Sequence, residues 1–429
     1  MRLALYHPWV YLRGGAERVL AEILERSRHD WVLYTHHYEP GETFPSLKGS
    51  VVELGPPVSV RRALGPLVHA AATMANTRLP DDGSQALLVS SEGLGDLLLA
   101  RNGQPAVAYC HTPLKILHDP QSREDLGRRD PNKAALLRML GRPFQTVDAA
   151  LWRRYRHVLV NSEETKRRVL AGSLAPESSV EVLYPGVDLS RFGAGFGELA
   201  AVDAASEREP LFLVAGRMVW QKRIELAIDA FAVARSRGLD ATMIIAGMVD
   251  EKSRDYVEGL KRRAAGLPIT FEEAPDDRRL AELYERATAC LFTAPNEDWG
   301  IVPLEAMACG TPVLAVNSGG PRESVMHGET GWLLPPQPRA FAEQMQVVAA
   351  SQEDMAWMRR ACRRHVQRYD WDRFVRRIDD LMEEVAVTGR VTNVPSAMPP
   401  LPAEVAIAEA LDRRLLAPDA DVDLAPLAG

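Results

Sequence analysis

Short apolar runs recur along the whole chain, separated by longer stretches in which apolar residues return at helical spacing. In the first half the runs cover 3–6, 31–35, 51–54, 86–90, 106–110, 157–160 and 180–184. In the second they cover 211–215, 242–246, 269–271, 290–293, 312–316 and 332–334. Runs of this length read as strands, and strand alternating with helix predicts parallel sheets covered on both faces. Too many strands are foreseen for one sheet, and the alternation pauses between about 188 and 210. That interval, DLSRFGAGFGELAAVDAASEREP, is rich in Gly and in small or charged residues and reads as a linker. The expectation is an α/β protein of two doubly wound domains, 1–187 and 210–370, joined by a linker at 188–209 and facing a central cleft. Such sheets bind ligands in crevices at the carboxyl ends of their strands. FGAGFG in the linker follows no strand and lacks the GxGxxG spacing, so it is not read as a dinucleotide fingerprint. An amphipathic stretch follows at 371–387, and from about 388 to 429 the chain turns Pro-rich and polar, the composition of a disordered tail.

Composition narrows the classes. The 429 residues suffice for two or three domains, and 46% apolar with 25% charged residues is ordinary for a globular protein. A net charge of −7 argues against nucleic acid as the main partner, which would need a broad basic surface. Cys110, Cys290, Cys309 and Cys362 form no CxxC pair and read as buried reduced thiols. The amino terminus runs straight into a strand without a cleavable signal pattern, and no apolar run approaches the ~18 residues of a spanning helix. A cytoplasmic protein is expected, with peripheral contact at the inner face of a membrane left open. The stretch 134–156, AALLRMLGRPFQTVDAALWRRYR, mixes Leu, Phe and Trp with several Arg. It suits either an anionic lipid surface or, more commonly, helix–core packing with a solvated basic face.

The richest segment is 297–310, EDWGIVPLEAMACG. It sets Glu297 and Glu305 eight residues apart, after an apolar run and around Gly300. Pro303 suits the first turn of a helix, so the order is strand, loop, helix, with Glu297 in the loop and Glu305 in the first helical turn. The free N–H groups around Gly300, Ile301 and Val302 make a seat for an anion, and an acidic residue beside such a seat commonly holds sugar hydroxyls. A diphosphate seat flanked by two hydroxyl-gripping carboxylates is the chemistry of a nucleotide-sugar site. Further back, Gly216 and Arg217 end a strand and Lys222 follows, a cation pair able to neutralise a diphosphate. Its alternative is a solvated basic loop. Gly14–Gly15 after the first strand allow close backbone approach and open a helix, though alone such a pair more often makes a tight turn. His111 directly follows a strand in AYCHTP, where a lone His is usually structural. Asn161–Ser162 with Glu164–Thr165 reads as a helix cap. Gly319, Gly320 and Glu323 read either as closing the pocket or as a simple turn. Asp81–Asp82 and Asp276–Asp277 read as surface loops, and no carboxylate-rich cluster points to a catalytic metal.

The longer segment EDWGIVPLEAMACGTPVLAVNSGGPRESV resembles, almost position for position, the donor-site signature of family 4 retaining glycosyltransferases of the GT-B fold. Relatives of that branch include bacterial and lipid-linked-oligosaccharide mannosyltransferases. The resemblance implies two Rossmann-like domains, with a last helix that crosses back onto the first. It implies a nucleotide-diphosphate sugar as donor, with GDP-mannose favoured by the branch, and a glycan, lipid-linked or small-molecule acceptor, with no further cofactor. The family carries an Arg and a Lys at the spacing of Arg217 and Lys222, although many members have Gly where this chain has Arg223. Gly14–Gly15 would face acceptor and diphosphate, and His111 the transferred sugar. Glu297 would position the sugar hydroxyls and Glu305 the ribose. With no enzyme nucleophile under the anomeric carbon, the implied reaction is front-face attack, the departing phosphate taking the acceptor's proton. An epimerase of the same architecture and a catalytically silent sugar-binding protein are the alternatives.

Overall fold

The computed structural model describes residues 1–59, 64–193, 210–351 and 355–391. Every apolar run read from the sequence forms a strand. In the first half these are β1 (Arg2–Tyr6), β2 (Asp30–Thr35), β3 (Val51–Glu53), β4 (Leu87–Ser91), β5 (Ala106–Cys110), β6 (His157–Val160) and β7 (Val180–Val182). In the second they are β8 (Leu211–Ala215), β9 (Thr242–Gly247), β10 (Ile269–Glu273), β11 (Ala289–Phe292), β12 (Val313–Val316) and β13 (Gly331–Leu334). β4 and β5 are buried at every position, which is why their sequences are continuous rather than alternating.

The first sheet runs β3-β2-β1-β4-β5-β6-β7 and the second β10-β9-β8-β11-β12-β13. Neighbouring strands are parallel throughout, for example Leu5 beside Leu33 and Leu291 beside Leu314. In each sheet the strand order reverses once, between β1 and β4 and between β8 and β11. The loops leaving those four strands therefore open into two crevices, the topological position for a ligand.

The helix Trp371–Thr388 returns to the first domain. Asp370 caps its amino end by accepting from the amides of Asp372 and Arg373, and Gly389, at φ 66°, ends it. Trp371, Phe374, Ile378, Leu381 and Val385 enter one apolar cluster with Leu3, Leu5, Val19 and Tyr109 of the first domain. Trp371 lies so close to Gly186 that a Cβ there would come within 2.7 Å of its amide nitrogen. Arg377 grips Glu181 with two bonds, of 2.7 and 2.6 Å.

Three expectations need correction. The linker begins later than 188, because Asp188 caps a helical turn, Leu189–Phe192, and Phe192 is buried edge-on to Tyr284. The remainder of the expected linker, 194–209, with most of FGAGFG, lies outside the described residues. The expected tail begins inside a helix at 388, and from 392 onward it too lies outside them. Finally, the apolar run at 180–184 leaves the sheet after Val182, because Tyr184 turns away to stack on Trp299 at 4.6 Å. The stretch 134–156 falls largely within the helix Pro131–Trp152, which buries Asp148 against His118 at 2.8 Å, while Arg153, Arg154 and Arg156 lie exposed just past its end.

Candidate functional site

The second domain's crevice is built by the loops after β8 and β11. Gly216 sits at φ 116°, and a Cβ on Gly247 would fall 1.8 Å from its carbonyl oxygen, so the ends of β8 and β9 touch backbone to backbone. The chain then makes the short turn Trp220–Lys222, and Arg223 adopts a left-handed conformation at φ 48° to open the helix Ile224–Ser236. Glycine, which the resemblance places here, would adopt that backbone without strain.

After β11 the loop ends at Gly300, φ 89°, which precedes the helix Ile301–Ala308. A Cβ on Gly300 would press to 2.9 Å from the Phe292 ring. No side chain caps this helix, so its leading amides remain open to an anion. Cβ of Gly216 would stand 3.6 Å from Val302, which brings the two loops together. Ile301 packs against the first domain's apolar cluster, so the seat faces across the cleft.

Lys222 Nζ donates to Glu297 Oε2 at 2.8 Å and lies 5.5 Å above the Phe292 ring. The lysine's position is fixed in turn by Thr293, whose hydroxyl donates to the Lys222 carbonyl at 2.9 Å. Burial pushes the Glu297 carboxyl up, but Lys222, Lys115 and Arg217 outweigh it and hold it below the usual carboxylate range. Glu297 is therefore a charged acceptor at neutral pH, and a second cation-binding group can share Lys222.

One predicted residue has a partner that the sequence does not name, and another sits one turn later than expected. Arg217 follows Gly216 at the end of β8 and pairs with Asp250, 3.6 Å away, while its charge also acts on the Glu297 carboxylate. Glu305 lies in the second turn rather than the first, since the helix starts at Ile301. There it accepts a hydrogen bond from the Tyr284 hydroxyl at 2.9 Å, and burial raises its pKa while Arg18 and Arg191 pull the other way.

The first domain's crevice is built by the loops after β1, β4 and β5. His7 Nδ1 and His111 Nε2 both contact the Ser90 hydroxyl, at 3.0 and 2.9 Å. Burial lowers the pKa of both rings, that of His111 to about 4, so each is neutral at pH 7. Gly14 precedes the helix Gly15–Arg26, and a Cβ on it would meet Leu12 and the Glu17 carboxylate. Gly15 faces open space. Burial and the charge of Glu92 raise Glu17 to about 8.

Sequence reasoning passed over Lys115, Arg168, Asn296 and Asp298, which join the two crevices. Asp298 stood inside the strongest motif and Arg168 followed a stretch read only as a cap. That cap is present: Ser162 accepts from the Thr165 amide at 3.0 Å. Gly319 and Gly320 have a tighter role than a turn. Cβ atoms there would fall 2.2 Å from the backbone of Glu297 and of Trp299, so only glycine lets this segment cross the Glu297 loop. Glu323 reaches the first domain, accepting from the Glu163 and Glu164 amides at 2.8 and 2.9 Å. Of the aspartate pairs, Asp82 binds Arg2 and Tyr34, and Asp276 caps a helix. All four cysteines are free and buried. Among the described residues no group of three His, Cys, Asp or Glu is arranged to hold a metal ion.

Two family models match the chain, Glycosyltransferase Family 4 over 13–191 and Glycosyl transferases group 1 over 197–365. The chain is 31% identical over 375 residues to the alpha-1,3/1,6-mannosyltransferase alg-2 of Neurospora crassa, covering 75% of this chain and 77% of that protein. It is 28% identical over 359 residues to the alpha-1,3/1,6-mannosyltransferase ALG2 of Homo sapiens, covering 77% and 83%. Among solved structures, a sucrose-phosphate synthase from Thermosynechococcus elongatus matches with a TM-score of 0.68 at 22% identity, over 90% of this chain and 99% of that one.

Proposed function

Because this chain belongs to the family 4 glycosyltransferases of GT-B fold, in their mannosyltransferase-like branch, we propose that it moves a hexose from a nucleotide-diphosphate sugar to an acceptor hydroxyl with retention of anomeric configuration. The observation that carries the reading is the Lys222–Glu297 pair beside the uncapped helix behind Gly300. A donor diphosphate would sit on the Gly300–Val302 amides and draw Lys222 partly from Glu297. The carboxylate is then free to hold hydroxyls of the transferred sugar. Arg217 would rotate from Asp250 to complete the diphosphate clamp, and Glu305 would grip the ribose. The bond from anomeric carbon to phosphate oxygen breaks and the bond to the acceptor oxygen forms on the same face. The acceptor's proton passes to the departing phosphate. The negative charge that develops there is met by Lys222, Arg217 and backbone amides, with no metal assigned to the step.

The relatives named as mannosyltransferases support mannose as the transferred sugar, and the resemblance of the donor-site segment favours GDP-mannose as donor with a glycan or lipid-linked acceptor. Among the described residues no helix is long and apolar enough to cross a membrane. Peripheral contact from the cytoplasmic side is proposed instead. It is supported by a groove of about 890 Å³ beside the helices Pro120–Arg129 and Pro131–Trp152, lined by Ile116, Leu117, Leu137 and Met139 with Arg123 and Arg142.

A thermal-shift screen against GDP-, UDP- and ADP-sugars tests the reading. The matching donor at a hundred times its dissociation constant should add ~2.7 kcal/mol of stability. If no nucleotide sugar stabilises the protein, the reading is wrong.

A further inference from the structure

The loop that presents Glu297 is held from the opposite domain. Arg168, on the helix Glu163–Ala171, is 1% exposed, and its guanidinium binds the Asp298 carboxylate and the Asn296 side chain. The same guanidinium reaches the Asn296 carbonyl at 3.2 Å and Glu164 at 2.8 Å. Lys115 takes the other Asp298 oxygen at 2.6 Å and also donates to the Asn296 carbonyl at 3.2 Å. Asn296 donates in return to Asp119 at 3.2 Å. Both oxygens of Asp298, the residue next to Glu297, are thus occupied by cations of the first domain. The helix carrying Arg168 is gripped a second time, where Glu323 accepts its leading amides.

A buried arginine is tolerated only while its partners are present, and removing one leaves an uncompensated charge. Apart from Glu164 on the same helix, these partners belong to the second domain. The contact therefore exists only when the domains stand together, and it ends one residue from the carboxylate at the donor site. Asn296 itself holds a left-handed backbone at φ 57°, a conformation that fixes the direction in which Glu297 leaves the loop.

We propose that Asp298 is a positioning residue: clamped between Arg168 and Lys115, it sets Glu297 against Lys222 and ties assembly of the donor-sugar site to the approach of the two domains. The proposal rests on the reading of Glu297 given above. Displacing a reacting-centre group by about 1 Å can cost on the order of a hundredfold in rate. A residue that acts through Glu297 should lower turnover while leaving the affinity for the nucleoside diphosphate, bound through the second domain alone, unchanged.

The test measures GDP release from GDP-mannose, GDP affinity and Tm for the full chain. Asp298→Asn removes the charge and keeps the shape. We expect turnover to fall about tenfold to a hundredfold with GDP affinity held within about twofold. In a Glu297→Ala background the same change should add no further loss, because the two residues act as one unit. Lys115→Gln, at the more exposed end of the clamp, should show the same split with a smaller loss, and it keeps the test open if Asp298→Asn lowers Tm. Wild-type turnover in both Asp298→Asn and Lys115→Gln, with Glu297→Ala inactive, overturns this proposal alone. Full turnover in Glu297→Ala overturns the reading of Glu297 and this proposal with it.

Discussion

The two domains have the same strand order about their switch points, yet the crevices they open are chemically opposite. In the second domain Glu297 is pulled below the usual carboxylate range by Lys222, Lys115 and Arg217, against the push of burial. In the first, burial and Glu92 raise Glu17 to about 8, and the nearby His7 and His111 are kept neutral by burial. One side is an arrangement of fixed charges with an open helix terminus between them. The other sets neutral imidazoles and a hydroxyl beside a carboxyl raised by burial and by the charge of Glu92. The fold supplies both crevices, and the side chains decide what each can hold. A diphosphate needs cations already in place, because reorganising them during bond cleavage would cost part of the stabilisation. A neutral sugar hydroxyl needs hydrogen-bond partners without competing charge.

The largest effect that would sharpen this contrast is expected from Lys222→Ala. Loss of one preorganised charge-stabilising donor typically lowers turnover by about 10²–10³. It also removes the nearest cation from Glu297, whose pKa should rise. If ionised Glu297 is required, the acid limb of kcat/KM then moves to higher pH in the variant. A turnover within a few-fold of wild type would make the cationic side no more than a solvated loop.

A smaller effect is expected on the opposite side, from Glu17→Gln. The folded-state pKa of Glu17, about 8, lies above the ordinary 4.5. The stability this group lends is therefore complete below about pH 4.5 and is lost as pH rises through about 8. The glutamine variant lacks this loss, so its Tm should gain on wild type across that window, by a few degrees for roughly 1–2 kcal/mol. Parallel Tm curves for the two proteins would show that Glu17 does not titrate differently on folding, and would remove half of the contrast.

The cationic crevice was far more legible in the sequence than the neutral one. Gly300, Glu297 and Lys222 announce themselves because each meets a local demand: an unusual backbone angle, a helix start, a charge beside it. The strands were equally plain, since burial on both faces leaves uninterrupted apolar runs in the central ones, although the edge strands β3 and β10 are partly exposed. Arg217 was read correctly as the residue after a strand, but its partner Asp250 lies on the next loop and no local pattern names it. Glu305 was assigned one turn too early because Pro303 marks a first turn without saying which position in it. Arg168 and Lys115 were missed altogether. Their second-domain partners are 128 residues or more away in sequence, Asn296 and Asp298 for Arg168 and Asn296, 181 residues on, for Lys115. Spacing cannot express contacts that form only when two separate sheets face each other.

In this mechanism the second domain alone holds the nucleotide while the first domain's imidazoles serve the sugar. Calorimetric titration of GDP into wild type, Glu305→Gln and His111→Ala tests it most directly. We expect one site in the wild type, binding weakened about tenfold or more by Glu305→Gln, where a neutral amide replaces a hydroxyl-gripping carboxylate, and unchanged by His111→Ala. Undiminished GDP affinity in Glu305→Gln together with lost affinity in His111→Ala would contradict it.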